Sequence, residues 1–336
     1  MDVTIVDISR LAGVSLATVS RVINTPEKVS PGTRQKVLKI MEEHNYIYNS
    51  LAGGLANKNT RTLGIIIPTI TNPVFALATN GFQKAAVSKG YSVLLGSTEY
   101  SAAQEYHLIQ LFIGKQVDGI VFTGRPMHSQ SIEYLRQRNI PLIITWEKIT
   151  DEEISYVTFD NALAARKAVD HLIALGHRRI AFISGKFEAS GRSERRWKGY
   201  KESLQQAHIA YDDDLVVLTE FTVMAGKTAA TQLLQLDMPP TAIFCTTDLL
   251  AYGAMASVQD KGKKVGPEVS IIGFDDLEMS GVMNPPLSSI RIPALQMGEI
   301  AAKTLIDNIS DKTKSAVKHI LDSKLIVRKS VAPPCG

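Results

Sequence analysis

Cysteine is scarce in this chain: it occurs only as Cys245, inside an apolar run, and as Cys335, near the end. Neither a disulfide framework nor a thiolate metal cluster is therefore expected. An excess of one charge is also missing, since 37 Lys and Arg against 33 Asp and Glu leave a formal net charge of +4. Bulk charge thus lends little support to nucleic-acid binding, and any such argument must rest on local features. No uninterrupted apolar run approaches the roughly 20 residues that span a bilayer. The opening MDVTIVDISR has neither a basic n-region nor an apolar h-region. These absences predict no signal peptide, no membrane partner and a cytoplasmic location.

Catalytic motifs are missing too. AGKT at Ala225 to Thr228 imitates the end of a phosphate-binding loop, but the position of the earlier required glycine is held by Phe221. There is no G-x-G-x-x-G after a strand and no G-x-S-x-G elbow. His171 and His177, in DHLIALGHRR, are spaced onto different helical faces and do not make a zinc pair. Gly176 with His177 instead reads as a helix end, where a basic group suits the negative end of the dipole. The sequence predicts no enzyme, no cofactor and no metal.

What is present is a chain of 336 residues, 45% hydrophobic and 21% charged, long enough for two or three globular domains. Its first sixty residues read as three short helices. Thr4 with Asp7 forms a capping box ahead of Ile5, Ile8, Leu11 and Ala12, and Gly13 breaks that helix. Ser15 caps a second helix through Val19, Val22 and Ile23. Ser30, Pro31 and Thr33 start a third, with Val37, Leu38 and Met41 on one face. By pattern alone an ordinary helical bundle and a helix-turn-helix are equal readings. The outward residues favour the second. Ser15, Thr18, Ser20, Arg21 and Asn24 suit phosphate and base contacts, while Leu16 and Ala17 place apolar groups where a solvated surface favours polar ones.

The runs VTIVDISRLAGVSLATVSRVIN and VSPGTRQKVLKIMEEHNYIYNSLAGGLA resemble the headpiece of the lactose-repressor (LacI/GalR) family, and the likeness continues along the chain. The resemblance implies base reading by Leu16, Ala17 and Arg21. It implies backbone contacts around Thr4, Ser15, Thr18, Ser20, Asn24, Ser30, Thr33, Tyr46 and Asn49. It also implies a homodimer on a near-palindromic double-stranded operator. SLAGGLANK resembles the family's hinge helix, with Leu55 as a wedge at the central base step and Ala52 and Ala56 beside it in the minor groove. Gly53 and Gly54 replace the longer polar side chains usual there, and each costs about 0.5–1 kcal/mol of helicity relative to Ala. A plain Gly/Asn/Lys linker is the alternative reading of this stretch.

After Arg61, short apolar strands alternate with helical spacings. The strands are TLGIIIP, SVLLGS, GIVFT, PLIITW, RRIAFIS, LVVLT, AIFCTT and VSIIGF. Helical spacings include Phe75 to Lys89, Ala162 to Leu175 and Leu249 to Lys261. Such alternation implies parallel sheets with helices on both faces. YVTFDN near Asp160 and LSSIRIP near Ile290 read as crossovers between lobes. The resemblance then implies an all-α headpiece (1–48), a hinge (49–61) and a two-lobed, periplasmic-binding-protein-like α/β core (62–336). The lobes would be about 62–160 plus 290–321, and 161–289 plus 322–336.

Ligands of open parallel sheets bind beyond the carboxyl ends of strands, which singles out Phe75, Trp146, Asp160, Arg192, Arg196, Phe221, Thr247 and Asp275. Asp248 reads equally as a helix cap. Arg196 and Asp275 fit the family pattern best. Trp146 followed by Glu147 departs from it, because many members carry an Asp directly after this strand. Arg192, Arg195 and Arg196 around one helix start offer an anion site. The expectation is a transcriptional repressor of carbohydrate metabolism whose effector is a sugar or a sugar acid such as gluconate, nucleoid-associated while on its operator. A solute-binding transport component predicts a signal peptide and no headpiece, and an α/β enzyme predicts a base or metal set; neither fits. The tail RKSVAPPCG lacks the heptads of a tetramerising coiled coil.

Overall fold

The computed structural model describes residues 3–47, 60–128, 130–187, 190–311, 313 and 315–335. The chain divides into two compact units, Met1–Thr60 and Arg61–Gly336. In the first, helix α1 (Ile5–Ala12) starts at the expected box: the Thr4 hydroxyl accepts from the Asp7 amide, and the Asp7 carboxylate accepts from the Thr4 amide. It ends at Gly13, whose φ of 63° is left-handed and favours a residue without a Cβ. Helix α2 (Leu16–Asn24) follows, its first turn closed by the Ser15 hydroxyl accepting from the Thr18 amide at 3.1 Å. Helix α3 (Pro31–Glu43) begins after Ser30, whose hydroxyl bonds Thr33 Oγ1 at 2.9 Å and makes no cap bond to the backbone. Ile8, Ala12, Val19, Val22 and Val37 form a small core. Leu11 and Leu38 lie on its exposed margin.

The second unit holds two six-stranded sheets. The first lobe contains β1 (Thr62–Ile67), α4 (Pro73–Ser88), β2 (Ser92–Ser97), α5 (Ala102–Gly114), β3 (Gly119–Thr123), α6 (Ser131–Arg136), β4 (Leu142–Thr145) and β5 (Ser155–Phe159). The chain then crosses to the second lobe: α7 (Asn161–Ala174), β6 (Ile180–Gly185), α8 (Gly191–Gln206), β7 (Val216–Thr219), α9 (Val223–Leu233), β8 (Ala242–Cys245), α10 (Asp248–Asp260), β9 (Ser270–Asp275), α11 (Glu278–Val282) and β10 (Ser288–Arg291). It returns with α12 (Ala294–Ser310) and β11 (Lys318–Leu321), and crosses a last time into β12 (Lys324–Ile326). The strand orders are β11-β5-β4-β3-β1-β2 and β12-β10-β9-β8-β6-β7. All pairs are parallel except β10 with β12.

Burial explains the apolar runs. Central strands β3, β5, β6 and β9 are buried along their whole length, as a sheet covered on both faces requires, whereas the edge strands β2, β7 and β11 are partly exposed. The two stretches read as crossovers are each a strand followed by the crossing. β5 belongs to the first sheet, and β10 holds the second sheet as far as Arg291, a residue beyond the expected switch at Ile290. AGKT lies at and inside helix α9 and not in a strand-to-helix loop. Among the described residues, no helix is long and apolar enough to cross a membrane.

Candidate functional site

In the headpiece, the start of α2 is the exposed feature. Ser15, Leu16, Ala17 and Arg21 face solvent, with Leu16 48% exposed. Thr18 and Ser20 are half-buried beside them. Apolar Leu16 and Ala17 are thus outside the core that Val19 and Val22 build from the other face of the helix. Thr4 is held by its box, and Tyr46 packs against the core. Asn49, Ala52, Leu55 and Ala56 lie outside the described residues, as does the side chain of Asn24.

In the core, the carboxyl ends of strands from both lobes converge on one small cavity of about 20 Å³. The first lobe supplies Phe75 and Trp146, whose rings meet edge to face with centroids 5.8 Å apart. The second supplies Arg192, Arg196, Phe221, Thr247 and Asp275. Asp160 is not among them. Its carboxylate caps α7 by accepting from the Ala162 and Leu163 amides at 3.0 and 3.1 Å, and it pairs with Lys148 at an adjoining recess. A carboxylate so placed at a helix start satisfies orphan amides first.

Arg196 is the centre of the cavity. Buried in α8, it donates from Nε to Asn161 Oδ1 at 2.9 Å and from Nη1 to the Thr246 carbonyl at 2.6 Å, and its guanidinium lies 3.6 Å from the Phe274 ring centre. Burial lowers its pKa to about 10, so it stays charged at neutral pH. Asp275 opposes it. Burial pushes this carboxyl up to about 6, although Arg196, the Asn72 amide and Arg192 all draw it down. Arg192 reaches across the cleft, donating to the Thr123 carbonyl at 3.3 Å with its guanidinium 5.4 Å from the Phe75 ring centre. Gly124 makes that reach possible: its φ is 97°, and a Cβ there would lie 2.9 Å from the guanidinium.

Asp248 does not cap its helix. The Thr247 hydroxyl does, accepting from the Leu250 amide at 3.3 Å. Asp248 lies fully buried beneath the cavity, accepting from the Leu277 amide and the Ser280 and Ser289 hydroxyls at 2.6–2.7 Å. Burial first, and the charge of Asp275 second, raise it to about 7. The expected three-arginine cluster is divided. Arg195 turns outward and pairs with Glu147 at 2.8 Å, while Arg192 and Arg196 face inward. His177 is not a charged helix end either. Buried, and bonded to Thr241, Ser270 and the Ala332 carbonyl, it has its pKa lowered by burial.

Sequence reasoning missed Asn72 and Tyr100. Asn72 caps α4 and donates to Asp275 across the cleft at 3.4 Å; Tyr100 stacks on Phe221 with centroids 5.3 Å apart. Tyr100 follows a strand end closely, the same signal that marked Trp146. Tyr100, Trp146 and Asp275 have φ of 58°, 65° and 114°. Such strained backbone at non-glycine residues persists where surrounding structure enforces it, and it clusters at functional sites.

Two family models match the chain: bacterial regulatory proteins of the lacI family over residues 4–49, and a periplasmic binding protein-like domain over residues 169–331. Catabolite control protein A of Priestia megaterium is 37% identical over 326 residues, covering 97% of this chain and 96% of that protein. The transcriptional repressor CytR of Escherichia coli (strain K12) is 36% identical over 329 residues, covering 97% and 96%. Among solved structures, the lac repressor dimer bound to operator and the anti-inducer ONPF superposes with a TM-score of 0.87 at 26% identity, covering 99% of this chain and 100% of that one. A helix-turn-helix headpiece and a two-lobed, effector-type core, each matched along its length, place this chain in the lacI family of DNA-binding bacterial transcription regulators.

Proposed function

We propose that the protein is a dimeric repressor of carbohydrate metabolism that binds a near-palindromic operator and releases or grips it according to a sugar acid held between the lobes. For the headpiece, the observation that supports this is the exposed start of α2. There Leu16 and Ala17 stand clear of the core beside Arg21, an arrangement suited to thymine methyls and a guanine edge. Ser15, Thr18, Ser20, Asn24, Ser30, Thr33, Tyr46 and Asn49 would hold phosphates, and Leu55, with Ala52 and Ala56, would enter the minor groove. Selection from random duplexes tests this: an enriched inverted repeat is expected, and no enrichment with or without cell extract would overturn it.

For the core, the reading is carried by the charge of the cavity. Two buried guanidiniums, Arg192 and Arg196, face one carboxylate, Asp275, so positive charge is in excess in the lining even with Asp275 ionised. The balance is positive and favours an anionic ligand. Phe75, Trp146, Tyr100 and Phe221 supply ring faces for its carbon skeleton. A cavity of about 20 Å³ has room for about one water, so a sugar acid enters only as the lobes part. That coupling of binding to lobe angle is the switch, and it works through unequal affinity for the two lobe arrangements. Calorimetry should show gluconate-type acids binding in preference to neutral hexoses, and the reverse order would remove the acidic effector.

A further inference from the structure

Glu147 belongs to the first lobe, just past β4, and only 4% of its side chain is exposed. A buried carboxylate is costly unless it is paired. Among the described residues, its one hydrogen-bond partner is on the other lobe: Arg195 of α8 donates from Nε to Oε2 at 2.8 Å. The neighbouring cations are engaged elsewhere, Lys148 with Asp160 at 3.2 Å and Lys198 with Glu194 at 3.1 Å.

The second carboxylate oxygen faces the start of α8. Oε1 lies 3.0 Å from where a Cβ would stand on Gly191, the first residue of that sixteen-residue helix. The Gly191 backbone is outside the left-handed region, so space and not conformation favours a glycine there. Ser190, at the cap position, makes no cap bond with its side chain. Free amides and the helix dipole favour an anion at such a start, and here the buried carboxylate comes from the opposite lobe. The backbone that delivers it is also held from that lobe. Trp146, left-handed at φ 65°, has its carbonyl bonded by Asn161 Nδ2 at 3.0 Å, and Asn161 Oδ1 accepts from Arg196 Nε at 2.9 Å. Strained backbone of this kind persists where its surroundings enforce it.

We propose that Glu147 is a clasp between the lobes, a positioning residue that holds the cleft closed by docking the first lobe onto Arg195 and the start of α8. Arg195 stays 45% exposed, so pairing strips little water from it, and the gain on closing is not cancelled by burying both ions. With the cleft closed the inner cavity has room for about one water, so an effector must break this contact to enter. The clasp therefore sets the lobe angle from which the switch departs, whatever the chemistry of the effector. That consequence rests on the lobe-angle reading of the switch; the clasp itself is tested without effector or operator.

Spin labels at Gln137→Cys in the first lobe and Gln205→Cys in the second, both exposed positions, report the distance between lobes by double electron–electron resonance. The full chain carries Cys335→Ser, because Cys335 is exposed while Cys245 is buried, and is diluted into unlabelled protein. Glu147→Gln, which keeps the shape and removes the charge, is expected to enlarge at least threefold the population lying away from the main wild-type distance. Arg195→Gln should do the same, and the two together should add little to the larger single effect, since both remove one contact. A purely local role for Glu147 would leave the distance between lobes unmoved. An unchanged distribution in either single variant, or shifts that add in the double variant, overturns the clasp.

Discussion

Arg196 makes three unlike contacts, two hydrogen bonds and a ring face, which hold its plane fixed. A guanidinium carries five N–H donors, and the bonds to Asn161 and Thr246 use two of them, leaving three for a ligand. Arg196→Ala is therefore expected to abolish the effector response while operator binding persists, read by fluorescence anisotropy on a labelled operator. Because the site is buried, Arg196→Lys serves as a second variant. It keeps the charge without the fork, and should lose at least tenfold in effector affinity. Undiminished effector sensitivity in both would remove the residue from the site. The acids beneath it give a pH effect of defined sign. Asp248 and Asp275 are raised from 3.8 to about 7 and about 6, so between about pH 4 and 7 the folded chain binds more protons than the unfolded one. Stability then falls as pH rises through that window. Half-buried His171 and buried His177, both held below their usual value by desolvation, act oppositely as pH drops below about 6.5. The test is accordingly a difference: the thermal midpoint of the wild type should decline from pH 5 to 8 by several degrees more than that of Asp248→Asn. Parallel slopes would show that Asp248 does not titrate in this range.

Helices α4 and α12 lie against each other through two glycines. A Cβ on Gly298 would run into the Ala78 carbonyl, and one on Gly81 into the Leu295 carbonyl. Alanine gains up to about 1 kcal/mol of helix propensity over glycine, while overpacking costs about 1–3 kcal/mol. Backbone cannot yield as a flexible side chain can, so the packing term wins. Gly298→Ala should lower the thermal midpoint of the core by several degrees. Gly32, near the start of α3 with nothing within 4 Å of its Cβ position, predicts the opposite sign for Gly32→Ala in the headpiece. The same contrast between pattern and packing explains what could be read in advance. Eight strands were legible because buried parallel strands are continuous apolar runs with turn residues at their ends. β5 and β10 were read as crossings because their apolar alternation is interrupted by Thr158, Ser288 and Ser289, which are buried. Those polar positions make sense only with their partners, since Ser289 bonds Asp248 and Ser288 the Arg328 amide. The cavity was legible for seven of its lining side chains by the rule that ligands sit past strand ends. Asp160 obeyed that rule and only caps a helix, whereas Asn72, in the loop past β1, caps a helix and also crosses the cleft to Asp275. Which way a side chain turns depends on the facing lobe, and local spacing carries no trace of it.

Three crossings of the chain between lobes, after β5, β10 and β11, make their relative angle a single coordinate of the core. Contacts across the cleft weight that coordinate: Arg192 to the Thr123 carbonyl, Asn72 to Asp275, and Tyr100 on Phe221. For a lobe angle to reach an operator with two half-sites, two copies must share an interface that feels it. The surface offers material for one on both lobes. Ile70 and Leu77 are exposed at and near α4, Met224 in α9, and Met279 and Val282 in and around α11. Isolated apolar side chains on a surface need no explanation, but Val282 is 74% exposed and follows Met279 by one turn of the same short helix. A charge placed there would be desolvated in a dimer and harmless in a monomer. Val282→Asp should therefore shift the chain from dimer toward monomer in sedimentation equilibrium, weaken operator binding at least tenfold at fixed protein concentration, and leave the thermal midpoint of the dilute protein nearly unchanged. A variant that sediments as the wild type would place the interface elsewhere. One that unfolds would show instead that Val282 supports its own lobe, against its exposure.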